Sequence, residues 1–260
     1  MLNTQPLDYL PIWGVYLLTV AMLLLAFEVG YRSGGFIQKR RPDQAEAGVG
    51  TMVGASLAFL GFLLAFIVGI AVNIFNERRA LVVKEANAIG TAYLRAEYLE
   101  EPFSTESRVL LREYVDTRLA ALDWDKLETS IARSEEIHQE LWSQAVALAK
   151  SNPTPTTSLY ISSLNEVIDV HSERFNIALE VRVPPAILLG LYLVAVLSTM
   201  LIGMQGSYAA QRNIIAPVMM VLILSLVFVL VTDLERSQQG LMQISQQPLI
   251  ALQQQLQIFP

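Results

Sequence analysis

Residues 49–75 read VGTMVGASLAFLGFLLAFIVGIAVNIF, an apolar run without a single charged side chain. A helix needs about 20 mostly apolar residues to cross the hydrocarbon core of a bilayer, so this run predicts a membrane-spanning helix. Three further stretches approach or reach a comparable length: residues 12–27, 186–204 and 214–231. Because residues 76–183 separate the first two stretches from the last two, the sequence predicts an integral membrane protein with two helical hairpins.

The polar segment between the hairpins carries the net charge of the protein. Of the 260 residues, 53% are hydrophobic and only 16% are charged. Residues 76–183 contain 12 Lys and Arg against 18 Asp and Glu, which accounts for the whole net charge of −6. An acidic segment argues against nucleic acid as a partner. The chain contains no Cys, which excludes disulfides, thiolate metal sites and Cys nucleophiles.

The second apolar stretch is expected to continue as a helix beyond the bilayer. No helix breaker occurs between its start near residue 49 and Pro102, so the helix is predicted to end near residue 99. The polar segment also shows apolar residues at helical spacing and no useful strand-like alternation. Further helices are therefore predicted from about residue 104, over residues 125–150 and over residues 158–182.

These patterns predict an all-α fold class, with four transmembrane helices in two hairpins and a helical extramembrane domain between helices two and three. The first helix is expected to end in a polar turn at residues 27–32, which Ser33, Gly34 and Gly35 follow. The C-terminal tail alternates Gln with apolar residues and is expected to pack on the helical domain or to lie at the membrane surface. The predicted divisions are 1–75 (first hairpin), 76–183 (helical domain), 184–232 (second hairpin) and 233–260 (amphipathic tail).

A row of small residues recurs at every fourth position of the second stretch and therefore shares one helix face: Gly61, Ala65, Gly69 and Asn73. Hydrophobic burial does not drive helices together in lipid, and small residues instead let backbones approach and gain dispersion contacts. The row is expected to face another helix, either within the subunit or across the axis of an oligomer.

Three aromatic residues of the same stretch form a second row at i, i+3 and i+7: Phe59, Phe62 and Phe66. Such a row is a candidate hydrophobic constriction that gates a pore by dewetting. The alternative is that these rings contact lipid or a neighbouring helix.

Ionisable and amide side chains cluster at the two ends of the predicted membrane bundle. At one end, Glu28 precedes Arg32 by one helical turn, a spacing that permits an ion pair. The residues at the other end come from the second and fourth stretches: Asn76, Glu77, Arg78, Asp233, Glu235 and Arg236. Because charges near the bilayer are costly unless paired, these groups are expected to form interhelical pairs or to line the mouth of an ion path.

No catalytic pattern is present in the sequence. The two histidines, His138 and His171, stand in no metal-binding spacing such as H-E-x-x-H, and no Walker or nucleophile-elbow motif occurs. Structural roles are therefore expected for both histidines, with no metal, no cofactor and no enzymatic activity. No charged residue lies in the middle of a predicted membrane helix, which disfavours a proton relay or a coupled transporter.

Three blocks of sequence carry a family resemblance. NERRALVVKEANAIGTAYLR follows the second stretch at residues 76–95, EVGYR occupies residues 28–32, and DLERSQQG occupies residues 233–240. Together they resemble the bestrophin-like family of bacterial membrane proteins, whose usual C-terminal block has Asp and Pro where this chain has Glu235 and Ser237. The family's name records a distant similarity to bestrophins, which are pentameric anion channels with paired membrane helices and a helical cytosolic region.

The resemblance and the small-residue row imply a homo-oligomeric channel in the lipid bilayer, with ions as the expected cargo. The alternative is a non-conducting membrane scaffold or sensor that docks a partner through its acidic helical domain. Ion-driven stator proteins share the layout, but they are expected to expose protonatable or hydroxyl groups at mid-membrane. This chain offers only Ser198, Thr199 and Ser225 there.

The expected location is the bacterial inner membrane, with the chain crossing it several times. Two indications of orientation disagree. Basic residues on the short connections, which include residues 39–41 and Arg212, favour a periplasmic helical domain by the positive-inside rule. The resemblance to bestrophins instead implies a cytoplasmic one.

Overall fold

The structure of the protein, a computed structural model, describes residues 10–40, 48–179, 181–209, 212, 214–236 and 240–258. Over these residues the regular structure is entirely helical, which confirms the predicted all-α fold class. The α-helices are α1 (Ile12–Arg40), α2 (Val49–Ala96), α3 (Phe103–Ala120), α4 (Leu127–Ser151), α5 (Pro155–Leu179), α6 (Pro185–Ser207), α7 (Ile215–Glu235) and α8 (Gln247–Ile258). Four of them, α1, α2, α6 and α7, are long and apolar enough to cross a membrane, as predicted.

The chain divides into two compact units. The first unit contains Met1–Phe75 and Arg182–Met242, and the second contains Asn76–Val181 and Gln243–Pro260. Helix α2 is one uninterrupted helix of 48 residues, so its first part belongs to the first unit and its last part to the second. The predicted continuation of this helix is confirmed, with its end at Ala96.

An apolar core between four helices holds the first unit together. Leu23 of α1, Leu60 of α2, Leu191 of α6 and Phe228 of α7 are all buried in it. Tyr192 stacks on Phe228 with ring centres 4.3 Å apart. In a bilayer such packing acts through dispersion and shape, because the lipid chains are as apolar as the core.

Helix α1 does not end in the polar turn that was predicted at residues 27–32. It continues to Arg40, while residues 41 and 42 of the basic run lie outside the described residues. The reason is close packing against α6: a Cβ atom at Gly30 would overlap the backbone of Met200, and one at Gly203 would overlap the backbone of Phe27. Helical glycine costs about 1 kcal/mol in propensity, which this tertiary contact offsets.

The second unit is a helical bundle around its own core. The last part of α2 contributes Ile89, α3 contributes Leu111, α4 contributes Leu141 and α5 contributes Leu164, all fully buried. Two helix starts differ slightly from the predictions. Helix α4 follows a 3-10 turn over Trp124–Lys126, and α5 already begins at Pro155, since proline is favoured in the first turn of a helix.

Helix α8 completes the core of the second unit. Leu249, Leu252 and Leu256 point into that core at successive helical turns. Gln253 Nε2 donates a 2.6 Å hydrogen bond to Asp116 Oδ1 of α3. Of the two expectations for the tail, packing on the helical domain is therefore the one observed for residues 247–258.

Candidate functional site

The part of α2 in the first unit has one buried and one exposed face. The buried face consists of Leu60, Leu64, Ile67, Ala71 and Ile74. At 3.6 residues per turn, Gly69 lies about 180° from the centre of this face. The small-residue row is therefore on the side of α2 that the described residues leave uncovered, and all four of its members are exposed: Gly61, Ala65, Gly69 and Asn73.

Open space surrounds the glycines of this row. A Cβ atom added at Gly61 or Gly69 would meet no atom within 4 Å in the described part of the chain. Of the two expectations for the row, packing within the subunit is thus not observed among the residues that the structure describes. Small residues do mediate close packing within the first unit, but they lie in α1 and α6, where no packing role was predicted for them.

The aromatic row borders the same exposed face. Phe59, Phe62 and Phe66 are 54%, 67% and 61% exposed, so all three rings project away from the core of the first unit. Phe62 and Phe66 lie within about 60° of Gly69 around the helix axis. Large apolar rings and small residues therefore share one uncovered surface, termed here the open face of α2: Phe59, Gly61, Phe62, Ala65, Phe66, Gly69 and Asn73.

The ion pair predicted between Glu28 and Arg32 of α1 is present. Arg32 Nε donates to Glu28 Oε1 at 2.8 Å, and Arg212 Nη2 donates to Glu28 Oε2 at 2.6 Å. Arg212 also lies over the ring of Tyr31, with its guanidinium carbon 4.5 Å from the ring centre. One carboxylate thus faces two guanidinium groups, and Glu28 connects α1 to the segment between α6 and α7.

The ionisable residues at the end of α7 bind backbone groups of the first unit. Asp233 accepts hydrogen bonds from the backbone N–H groups of Leu241 and Met242 at 2.6 and 2.9 Å. Glu235 Oε1 accepts one from Val183 N at 2.9 Å. These contacts give the carboxylates a structural role at the chain segments that follow and precede the membrane helices. Residues 237–239 of the C-terminal block lie outside the described residues.

Arginine side chains in both units cap backbone carbonyls. Arg236 Nη2 donates to Leu10 O at 2.7 Å in the first unit. In the second unit, Arg78 is buried and donates to Ile177 O at 3.2 Å and to Val181 O at 2.9 Å. A cation at these carbonyls satisfies the C-terminal end of α5. Asn76 and Glu77, which precede Arg78 in the sequence, are exposed.

A buried polar cluster that was not predicted from the sequence lies inside the second unit. At its centre is Glu85 of α2, whose carboxylate is fully buried. It accepts hydrogen bonds from Arg118 Nε at 2.8 Å, from Tyr114 Oη at 3.0 Å and from Arg174 Nη1. The sequence carries only a partial signal for this cluster, because polar residues sit four and three apart on helix faces rich in apolar residues: Tyr114 with Arg118, and His171 with Arg174.

The two histidines of the chain meet at the edge of this cluster. Their ring centres lie 4.8 Å apart with nearly perpendicular planes, and His171 Nδ1 lies 2.9 Å from Tyr114 Oη. Burial, aided by the positive charge of Arg118, lowers the pKa of His138 to about 4 and that of His171 to about 3. Burial likewise raises the pKa of Tyr114 well above its ordinary value. All three rings are therefore neutral at pH 7.

A cavity of about 370 Å³ opens beside the histidines, between α4 and α5. Its lining combines both imidazoles with amide, hydroxyl, carboxylate and apolar side chains: Glu135, His138, Gln139, Ile168, His171, Ser172, Phe175 and Asn176. A second cavity of about 350 Å³ adjoins it and shares His138, Gln139 and Ile168. Among the described residues, no three His, Cys, Asp or Glu side chains already converge on a metal position.

Most of the chain is similar to a known protein family and to solved structures. Residues 19–249 match the family model described as Bestrophin-like domain. No protein with a curated description is significantly similar. A crystal structure of a bacterial bestrophin homologue from Klebsiella pneumoniae has a TM-score of 0.64 at 14% identity, over 93% of this chain and 96% of that chain.

Two further crystal structures share the fold. One is a point variant of a bacterial bestrophin homologue from Klebsiella pneumoniae, with a TM-score of 0.65 at 16% identity, over 94% of this chain and 97% of that chain. The other is a variant membrane protein, with a TM-score of 0.67 at 15% identity and the same coverage. At such identities the similarity establishes the fold, and function has to be argued from the residues of this chain.

Proposed function

Because the chain belongs to the bestrophin-like family, we propose that it assembles as a homo-oligomer in the membrane and conducts ions along a path lined by α2. The observation that carries the proposal is the open face of α2. This face combines glycine, alanine, asparagine and phenylalanine on the side of the helix that no described residue covers.

The composition of the open face suits a central path better than a lipid surface. Small residues facing lipid forfeit dispersion contacts, whereas they favour close approach of helices or leave room for a path. Asn73 carries a polar amide near the end of the apolar run. Polar side chains in membrane helices almost always face the bundle interior or a water-filled space, because lipid cannot hydrogen-bond them.

The aromatic row supplies the narrow part of the proposed path. Copies of α2 arranged around an axis would bring Phe62 and Phe66 of each protomer towards that axis together with Gly69. Rings of this size close a path by excluding water rather than by charge. Gly69 and Asn73, at the next turns of the helix, would leave the path wider and more polar on that side.

Reconstitution of the full-length protein in liposomes tests the proposal. We expect flux of chloride or potassium, measured separately with ion-sensitive dyes, and an oligomeric mass in lipid nanodiscs. Gly69→Leu is expected to abolish flux because it fills the open face. Gly190→Leu is the matched control: a Cβ atom added at Gly190 of α6 would likewise meet no described atom within 4 Å, but this residue lies on a different helix.

The oligomeric mass, the flux and the two glycine variants each test a different part of the proposal. A monomer in nanodiscs would overturn the assembly. An oligomer without flux of either ion would overturn conduction and favour the non-conducting scaffold or sensor. Equal effects of Gly69→Leu and Gly190→Leu would remove the special role of α2.

The same proposal includes a location in the bacterial inner membrane. The side of the helical domain can be measured directly, because the chain has no Cys. A single Cys at the exposed position Tyr98 of the second unit is expected to react with a membrane-impermeant maleimide in intact spheroplasts only if the domain is periplasmic. Labelling only after lysis would instead support the cytoplasmic orientation that the bestrophin resemblance implies.

A further inference from the structure

His138 and His171 form a pair that neither the family nor the proposed channel explains. They are the only histidines in the chain, they lie 33 positions apart on α4 and α5, and both are more than nine-tenths buried. Both line the cavity of about 370 Å³ between these helices. His138 Nε2 is shielded from solvent and has no hydrogen-bond partner among the described residues. A buried nitrogen of this kind calls for a physical explanation.

Hydrogen bonding fixes which nitrogen of His171 is free to bind a ligand. The Tyr114 hydroxyl has one hydrogen, and it donates that hydrogen to Glu85 Oε1. The 2.9 Å contact between Tyr114 Oη and His171 Nδ1 therefore requires the imidazole to be the donor. Neutral His171 then carries its proton on Nδ1 and a lone pair on Nε2. Metal-binding histidines are commonly oriented in this way, by a hydrogen bond from the other ring nitrogen.

The distance between the rings fits a shared ion. Two imidazoles bound to one tetrahedral Zn²⁺ at 2.0–2.1 Å have ring centres roughly 5 Å apart, and here the separation is 4.8 Å. Glu135 precedes His138 by one helical turn and lines the same cavity. Its carboxylate is exposed and does not yet converge with the imidazoles, so it would have to rotate towards them, with water completing the ligand set.

We propose that His138 and His171 bind a divalent transition-metal ion such as Zn²⁺ in the cavity between α4 and α5, with Glu135 as a third ligand. The bound ion joins two helices of the second unit that otherwise meet through side-chain packing. Imidazole and carboxylate ligands suit Zn²⁺ and Co²⁺, whereas Mg²⁺ and Ca²⁺ prefer sets made only of oxygen.

The composition of the chain makes the test unusually direct. Without Cys and with only these two histidines, any imidazole coordination must come from the proposed site. The full-length protein, purified through a tag without histidine and stripped with a chelator, would be titrated with Zn²⁺ by calorimetry. We expect one ion per chain with a Kd on the order of micromolar. Zinc K-edge absorption is expected to show scattering from two imidazole rings.

Matched variants assign the ligands. His138→Gln and His171→Gln are each expected to weaken binding about tenfold or more, and Glu135→Gln to weaken it by a smaller factor. Glu136→Gln is the control, because this neighbouring carboxylate pairs with Arg133 at 3.0 Å and does not line the cavity.

Three results would overturn the proposal. They are a Kd weaker than about 100 µM, an absorption spectrum with oxygen ligands only, and unchanged affinity in both histidine variants. The spectrum is recorded on the unaltered protein, so it decides the question even if a histidine variant fails to fold.

Discussion

The Tyr114 hydroxyl donates a hydrogen bond of 3.0 Å to Glu85 Oε1, which joins α3 to a fully buried carboxylate of α2. The same carboxylate accepts hydrogen bonds from Arg118 and Arg174. One negative charge therefore offsets two guanidinium groups whose side chains are only 10% and 12% exposed. Such a cluster is costly to desolvate but far more costly to break, because a lost partner leaves charge uncompensated in the interior.

Removing the Glu85 charge is expected to destabilise the protein strongly. Glu85→Gln should cost about 3–5 kcal/mol, because the largely buried side chains of Arg118 and Arg174 would lose their counter-charge. Tyr114→Phe removes one hydrogen bond to a charged group and should cost about 1–3 kcal/mol. Thermal unfolding in detergent, followed by Trp fluorescence, checks the order. Tyr98→Phe, at an exposed ring, should leave the Tm unchanged, and a Glu85→Gln protein as stable as the parent would contradict the prediction.

The buried imidazoles are expected to make the metal-free protein less stable as the pH falls. In the folded chain the pKa is about 4 for His138 and about 3 for His171, below the ordinary value of 6.5. Between about pH 4 and 6.5 the unfolded chain therefore binds protons that the folded chain does not. The free energy of unfolding is then full above pH 6.5 and decreases as the pH drops towards 4. Arg118 contributes to this effect, and Glu85 partly offsets it.

The Tm between pH 7.5 and 5, recorded with a chelator present, checks this pH dependence. Most carboxylates titrate below about pH 5, so the slope in this window reports mainly on the histidines. The double variant His138→Gln/His171→Gln is expected to show a flatter profile than the parent. Parallel profiles for the two proteins would argue against buried neutral imidazoles.

The close contact of α1 with α6 predicts different outcomes for neighbouring glycines of α1. Gly30→Ala places a Cβ against the backbone of Met200, and separating the helices should cost about 1–3 kcal/mol. Gly35→Ala is the control on the same helix, since no atom of the described residues lies within 4 Å of its Cβ position. It should be neutral or slightly stabilising through helix propensity. The Tm in detergent distinguishes Gly30→Ala from Gly35→Ala. Similar Tm values for both variants would contradict the close packing of α1 against α6.

Replacing a phenylalanine of the aromatic row by alanine is expected to raise ion flux. If Phe62 and Phe66 form the narrow part of the path, Phe62→Ala and Phe66→Ala should each raise ion flux, because water and ions then pass a wider gap. Leu189→Ala removes an apolar side chain that is equally exposed but lies on α6, and should leave flux unchanged. The measurement is initial flux in liposomes at matched protein density. A loss of flux in either Phe variant, with normal assembly, would contradict a constriction.

Several elements could be predicted from the sequence because they depend on neighbouring residues only. The span over residues 49–75 follows from uninterrupted apolar length, and the helical continuation of α2 follows from the absence of proline until Pro102. The end of α1 was predicted wrongly because it does not depend on neighbouring residues alone. Ser33, Gly34 and Gly35 have poor helix propensity by themselves, and only contact with α6 makes a helix the favoured state there.

The surroundings of individual residues required the tertiary structure. Spacing placed Gly61 and Gly69 on one face of α2, but only the fold showed that the described part of the chain leaves this face uncovered. Glu85, Tyr114 and His171 lie on three helices, and nothing local relates their positions. The sequence by itself determined which segments are apolar and helical, since hydropathy and propensity act over a few turns. Tertiary structure decided which polar groups meet, because such contacts depend on how distant helices rotate and align when their apolar faces pack.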